Sequence, residues 1–536
     1  MEKVDEVDEV DPPHPPTHLC YNYPMINLRT VYKRAEEHTA LFAVGLFALL
    51  ALLIVLQSIF SPALVITSVI VMLVIVLTCV RPEVSLGLLA VYLPFESVLL
   101  KFSPDDVYVF ARYGSEALIY LVTLVVLWRI FSGRQPYRPT RFDLPFLLFL
   151  IVLLASTIVN LVPPTIAVLG ARQILRFMIV FFLIVQIDPS KLFVKKLTWI
   201  LFSIVVFQSL LGISQSFIGE PLDNFLLPSE ERSLGSIVLT EGVEQFWDPG
   251  SRVFATLGRY DRLGNFLYVF LLLATGFLFT KKMRDKHTWM PWIFALGVPA
   301  MILTYSRSSW FAFIFGFVLI GLLIKKDRRV LAGLGAFVLF LGIVLGTSGL
   351  NVSMLAEGPG QTLSERFYES FSYARWRGEY YGLGRVFWFI HTPLSVVAVS
   401  PILGFGPGQF GGGAVAALRN TSVYEALGLP YGVFGTEGFI DNNWFSLWGE
   451  TGTLGMFFYL WLYGGLFFFA LKVARESKDP FTQSIALGVA AIFLGIAFNA
   501  FTSTILEIRT SAFYLWLYAG FLYVLYVKGG KGGEVD

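Results

Sequence analysis

The chain has 536 residues, of which 56% are apolar and 15% charged, with 51 Phe and a mean hydropathy of +0.68. Soluble domains carry about a quarter charged residues, so a soluble enzyme, a disordered chain and a secreted disulfide scaffold are excluded. The net charge of +2 implies no general polyanion-binding surface, and Cys20, Cys79 and five His form no metal-ligand spacing.

In chain order, residues 1–38 read as a disordered cytoplasmic tail with alternating Asp and Glu, then Pro12, Pro13, Pro15 and Pro16. This polar start is not a secretory signal. Apolar runs then recur near 40–60, 63–80, 84–100, 114–131, 144–162, 165–187, 197–218, 263–280, 290–305, 308–324, 330–349, 444–471, 481–503 and 510–527. A span needs about 20 apolar residues, so the fold class expected is an all-α polytopic integral membrane protein with about 14 (12–14) transmembrane helices. Residues 39–350 hold the first group, with an outer loop near 219–261. Residues 351–441 form a large extracytoplasmic loop carrying short surface helices, 442–527 the last spans, and 528–536 a cytoplasmic tail.

Five short connectors are basic: Arg134, Arg138 and Arg141; Lys191, Lys195 and Lys196; Lys281, Lys282, Arg284 and Lys286; Lys325, Lys326, Arg328 and Arg329; Lys472, Arg475 and Lys478. Fourteen spans place all five on one side, which the positive-inside rule makes cytoplasmic, together with both termini.

The arginines that this rule does not explain carry the functional signal. Arg307 is the only charge between Met290 and Ile324, and a charge within a span costs about 2.5–3.5 kcal/mol at mid-membrane. It reads as a functional residue, or as an interfacial arginine reaching water beside Trp310. Arg172 and Arg176 are spaced i,i+4 on one helix face, where like charges repel unless an anion or acidic partner sits between them. Arg252, Arg259 and Arg262 cluster where the first long outer loop re-enters the membrane, with Asp261 a possible partner for Arg259. Guanidinium forks suit phosphate oxygens, so the set suggests a diphosphate site, and at an outer leaflet a diphosphate suggests a lipid-linked glycan.

Thr304-Tyr305-Ser306-Arg307-Ser308-Ser309-Trp310 resembles the Ser-Arg-Gly/Ser-x-Trp signature of the O-antigen ligase and polymerase superfamily. Arg385-Val386-Phe387-Trp388 with Pro401 to Phe410, Asp441-Asn442-Asn443-Trp444 with Glu450-Thr451-Gly452, and the segment from Arg252 to Asn265 are similar to further blocks of that family. The resemblance covers roughly residues 140 to 475. It implies a membrane glycosyltransferase of GT-C-like architecture, needing no cofactor. Such an enzyme takes a glycan from an undecaprenyl-type diphosphate carrier at the external face of the plasma membrane. The acceptor is lipid A–core in ligases and another lipid-linked repeat in polymerases. The family's essential arginines map onto Arg307, and onto Arg172, Arg176 or Arg252. Ligases carry His where this chain has Asp441, a departure that favours a polymerase.

The chemistry agrees with this at the residue level. Arginines can stabilise a diphosphate leaving group without a metal, which places Arg307, Arg172, Arg176, Arg252 and Arg262 at the donor. Asp441 is ionised at neutral pH and can take the acceptor proton, or it serves as the N-cap of the next helix. His391 is an alternative base. Asn442, Asn443, Glu450 and Arg385 are candidates for glycan or acceptor binding, and Glu450 could instead pair with an Arg. The run Gly404 to Gly413 reads as a tight turn, since no Walker or Rossmann context surrounds it. A transporter or lipid flippase is the competing class, marked by matching halves and broken helices. A relative of the peptidoglycan polymerases is a third reading.

Overall fold

The computed structural model describes residues 60–227, 232–234, 237–240, 250–355, 358, 360–373, 376, 385–418, 420–429 and 442–531. Met1–Ser68 forms one compact unit and Val69–Asp536 the other. The expected N-terminal tail, and the run 40–60 up to residue 59, lie outside the described residues. Every helix from Pro82 onward belongs to the second unit.

The helices in chain order are α1 (Pro62–Val80), α2 (Pro82–Lys101), α3 (Asp105–Phe131), α4 (Asp143–Val159), α5 (Pro164–Leu175), α6 (Met178–Ile187) and α7 (Lys191–Ile218). Then come α8 (Glu220–Leu226), α9 (Tyr260–Phe279), α10 (Lys281–Lys286), α11 (Met290–Leu303), α12 (Arg307–Leu319) and α13 (Arg328–Ser348). The last group is α14 (Leu363–Glu369), α15 (Arg385–Val399), α16 (Gly412–Leu418), α17 (Ser422–Ala426), α18 (Asn443–Glu476), α19 (Pro480–Asn499) and α20 (Arg509–Lys531). The only strands among the described residues are Arg232–Leu234 and Ile237–Thr240, an antiparallel pair.

Ten described helices are long and apolar enough to cross a membrane, or eleven if α5 and α6 are one bent span. The chain is a multi-pass helical membrane protein. The expected runs 144–162 and 290–305 appear as the shorter apolar helices α4 and α11. The run 165–187 is not one continuous helix: it breaks after Leu175 and resumes at Met178 with a 58° bend. Bending there leaves backbone groups around Arg176 outside a regular helix, which membranes tolerate where protein or a cavity surrounds them.

The helices α9, α19 and α20 form the centre, with 83%, 78% and 83% of their apolar windows buried, while α13 has none. Small residues let the central backbones touch. A methyl at Gly276 would lie 2.0 Å from the Ser484 carbonyl oxygen, and one at Gly488 2.6 Å from that of Leu273. Close backbone approach of this kind is how apolar helices gain packing where lipid supplies no hydrophobic drive.

Ion pairs gather the basic connectors at one end. Arg138 and Lys528 both pair with Asp188, at 2.8 and 3.0 Å, and Lys191 pairs with Asp479 at 3.1 Å. His287, after α10, packs against Trp199 with ring centres 4.6 Å apart, and Phe279 packs on Phe317 near the end of α12. The other end holds the Gly-rich turn, the start of α18 and the start of α20.

Candidate functional site: an arginine cluster opposite the basic connectors

Glu116 of α3 is the acid between the two arginines of the bent span. Arg172 grips its carboxylate with Nε and Nη2, and Arg176 Nη1 lies 3.5 Å from Oε2. Glu116 and Arg176 are both buried. Beside them, Arg509 at the start of α20 donates to Glu96 Oε1 at 2.6 Å and to Ser115 Oγ at 3.1 Å, and Ser115 also donates to Glu96. Arg262, in the first turn of α9, is an exposed residue with Asp261, Arg259, Glu96 and Arg509 as charged neighbours. It makes no hydrogen bond or ion pair to any described residue. Arg259 pairs with Asp261 at 3.1 Å. Four guanidinium groups, of Arg172, Arg176, Arg262 and Arg509, thus face two carboxylates, Glu96 and Glu116.

A third acid, Glu507, lies in the connector between α19 and α20. Its carboxylate accepts from the Gly413 N–H at 2.6 Å, the Gln173 amide at 2.9 Å and the Asn443 amide at 3.2 Å. Arg176 donates to its backbone carbonyl at 2.7 Å. Burial pushes the Glu507 carboxyl above the usual carboxylate range, against these donors and Arg176, which favour the anion. The cluster therefore keeps a surplus of positive charge.

Arg307 belongs to a different centre. It opens α12 after Tyr305, whose φ is +56°, and its Nη1 lies 2.6 Å from Glu369 Oε1 in α14. Arg366 holds the other oxygen of Glu369 at 2.9 Å, and all three side chains are buried. Arg252 is buried as well, with its guanidinium 4.6 Å from the Tyr260 ring centre. The next residue, Val253, donates its N–H to the Leu303 carbonyl beside the α11–α12 turn. Arg307 and the Arg172–Arg176 pair are each held by a buried glutamate, Glu369 and Glu116 respectively, while the Arg252 segment lies beside the turn that leads into Arg307. The reading of Arg307 as an arginine reaching water is corrected by its burial and by Glu369.

Hydrogen bonds nevertheless link the two centres. Ser306 and Ser309 hydroxyls meet at 2.9 Å, and Ser309 donates to Asn265 Oδ1 at 3.0 Å. Asn499 donates to the same oxygen at 3.1 Å and accepts from Ser503 at 2.9 Å. The Asn443 N–H donates to the Ala500 carbonyl at 2.8 Å, and its side chain reaches Glu507. Asn443 is the junction of this chain.

The start of α18 changes one alternative for Asp441, which itself lies outside the described residues. The N-cap of α18 is Asn442: its side chain accepts from the Phe445 N–H at 3.0 Å and donates to the Phe501 carbonyl at 3.0 Å. The capping role expected of Asp441 falls to its neighbour. Glu450 is buried and pairs with no Arg among the described residues; the N–H groups of Gly408, Phe410 and Gly411 approach its carboxyl. Arg385 begins α15, and its side chain lies outside the described residues. His391 sits within α15.

The Gly-rich run is the tight turn its composition implied. It lies against α18 where that helix breaks at Gly452, with Phe405 donating to the Gly449 carbonyl at 2.8 Å and Gly406 to that of Glu450 at 3.0 Å. Gly404 has φ +68°, and a methyl there would lie 2.4 Å from the Gly449 oxygen. Sequence reasoning missed Glu96, Glu116, Glu369, Arg366, Gln173, Glu507 and Arg509. Glu96 and Glu116 lay inside expected spans, where an ionisable residue is itself a signal. Compared with protein-family models and with curated proteins, the chain matches none.

Proposed function

We propose that the chain is a membrane glycosyltransferase of GT-C-like type. It moves a glycan from a polyprenyl diphosphate carrier to an acceptor hydroxyl at the extracytoplasmic face, in O-antigen or related polysaccharide assembly, and as a polymerase rather than a ligase. The observation that carries this is the guanidinium surplus at the end opposite the basic connectors, with Arg262 exposed beside it. In the reaction the bond from the sugar C1 to the diphosphate oxygen breaks, and the acceptor oxygen bonds to C1. The leaving diphosphate takes the electron pair, and its charge is stabilised by fixed arginines. The acceptor proton passes to Asp441, and the helix cap itself is Asn442.

The test is transfer from a purified lipid-linked donor by the full-length protein in lipid nanodiscs with EDTA present. Product lengthened by one or more repeats supports the polymerase. No product with any lipid-linked acceptor refutes the transferase. The bent α5–α6 pair at Arg176 favours a second reading, a transporter, because broken spans with charges mark transport sites. Lipid-linked glycan moved across a sealed vesicle without transfer would establish it.

A further inference from the structure

Glu450 is 3% exposed, and its Oε1 is buried without a hydrogen-bond partner among the described residues. A buried carboxylate oxygen left unmatched costs more than an ordinary lost hydrogen bond. Backbone N–H groups of the Gly-rich turn approach the carboxyl, as amides do around an anion. Glu450 also lines a small cavity together with Glu507, Ser446 and Tyr459. Neither the Ser446 nor the Tyr459 hydroxyl makes a hydrogen bond to a described residue. Among the described residues no Lys or Arg lines the cavity; the nearby Arg176 is directed to the Glu507 backbone carbonyl. Two carboxyl groups, the Gln173 and Asn443 amides that donate to Glu507, and two hydroxyls unengaged by described residues therefore surround a space about the size of one water molecule.

That arrangement suits a small hard cation, which takes oxygen ligands. No group of three or more acidic, histidine or cysteine side chains gathers there among the described residues, which leaves a divalent ion short of the carboxylates its cages usually supply. We propose that the cavity is a sodium site, built from carboxylate oxygens of Glu450 and Glu507 and the hydroxyl oxygens of Ser446 and Tyr459. It sits two residues before the break of α18, and interrupted helices are where membrane proteins commonly hold sodium. The ion ties α18 to the α19–α20 connector. Through the bond from Gly413 to Glu507 it also holds the Gly-rich turn. The inference does not depend on the transferase reading.

The experiment is thermal unfolding of the purified full-length protein, followed by tryptophan fluorescence at fixed pH and ionic strength, with sodium chloride exchanged for choline chloride. A ligand bound only by the folded state raises Tm in a saturable way. The expected result is a saturable rise of a few degrees with sodium, absent in Glu450→Gln. Ser446→Ala, a milder change, should move the sodium midpoint about tenfold higher and serves if Glu450→Gln does not fold. Equal Tm in sodium and choline overturns the proposal, as does a sodium effect that Ser446→Ala leaves in place. A response to pH alone would assign the space to a shared proton and would also overturn it.

Discussion

Glu116 is the residue that makes the arginine pair on the bent span tenable. Two guanidinium groups four positions apart repel on one helix face, and the carboxylate between them removes that cost. Removing one partner of a buried ion pair costs about 3–5 kcal/mol, because the remaining charge is left uncompensated. Glu116→Gln is accordingly expected to lower the yield of monodisperse protein and its Tm. Unchanged thermal stability would mean that solvent or lipid compensates the arginines instead. Asp441 gives the opposite pattern. With Asn442 as the cap, Asp441→Asn and Asp441→Ala should both leave Tm unchanged while transfer falls by about 10²–10⁴-fold, the usual loss for a positioned base. Full activity in both variants would turn attention to His391. The arginines were legible in the sequence because a charge inside an apolar run is costly and conspicuous. Their partners were not: Glu369 and Arg366 lie about sixty residues beyond Arg307, in a loop whose fold no periodicity announces. Glu507 reads as an ordinary connector residue until Gln173 and Gly413 are brought to it.

At the scale of elements, the break of α18 and the Gly-rich turn form one unit. A methyl added at Gly449 would lie 1.7 Å from the Phe410 ring, which α18 and the turn hold between them. Gly449→Ala should therefore destabilise the protein by about 1–3 kcal/mol, the usual cost of overpacking, and reduce transfer by displacing Glu450. A variant with wild-type Tm and transfer would show that the turn is not coupled to the site. The cap of α19 supplies a pH test at the other end. Burial pushes the Asp479 carboxyl up, but the Thr482 hydroxyl and N–H together with Lys191 outweigh it and hold the carboxyl below its ordinary value of 3.8. An acid held low in the folded state stabilises above its unfolded value, and the gain is lost as pH falls through the folded one. The Tm gap between wild type and Asp479→Ala, from a cap worth about 1 kcal/mol, should be full at neutral pH and close below 3.8. A gap that persists in strong acid would place the effect in packing.

For the whole molecule, apolar run length foretold every described span from α1 to α20, because a helix in lipid must bury its backbone within itself. It did not foretell the break at Arg176, whose guanidinium pairs with Glu116 of another helix. The gathered basic connectors show which helix ends lie together, and on the positive-inside rule we propose that this side is cytoplasmic. In a background lacking Cys20 and Cys79, an impermeant maleimide should label Ser422→Cys in intact cells, and Lys286→Cys only after permeabilisation. The reverse would invert the proposed orientation.

The most direct measurement concerns Arg262, an exposed residue crowded by Asp261, Arg259, Glu96 and Arg509, which makes no hydrogen bond or ion pair to a described residue. Binding of a short-chain polyprenyl diphosphate to the purified protein should weaken about 10- to 100-fold in Arg262→Ala, matching the loss of one charged hydrogen bond worth about 1.5–3 kcal/mol. Tm should not change, and Arg262→Lys should recover the affinity only in part. Wild-type affinity in Arg262→Ala would contradict the assignment of this cluster to a diphosphate.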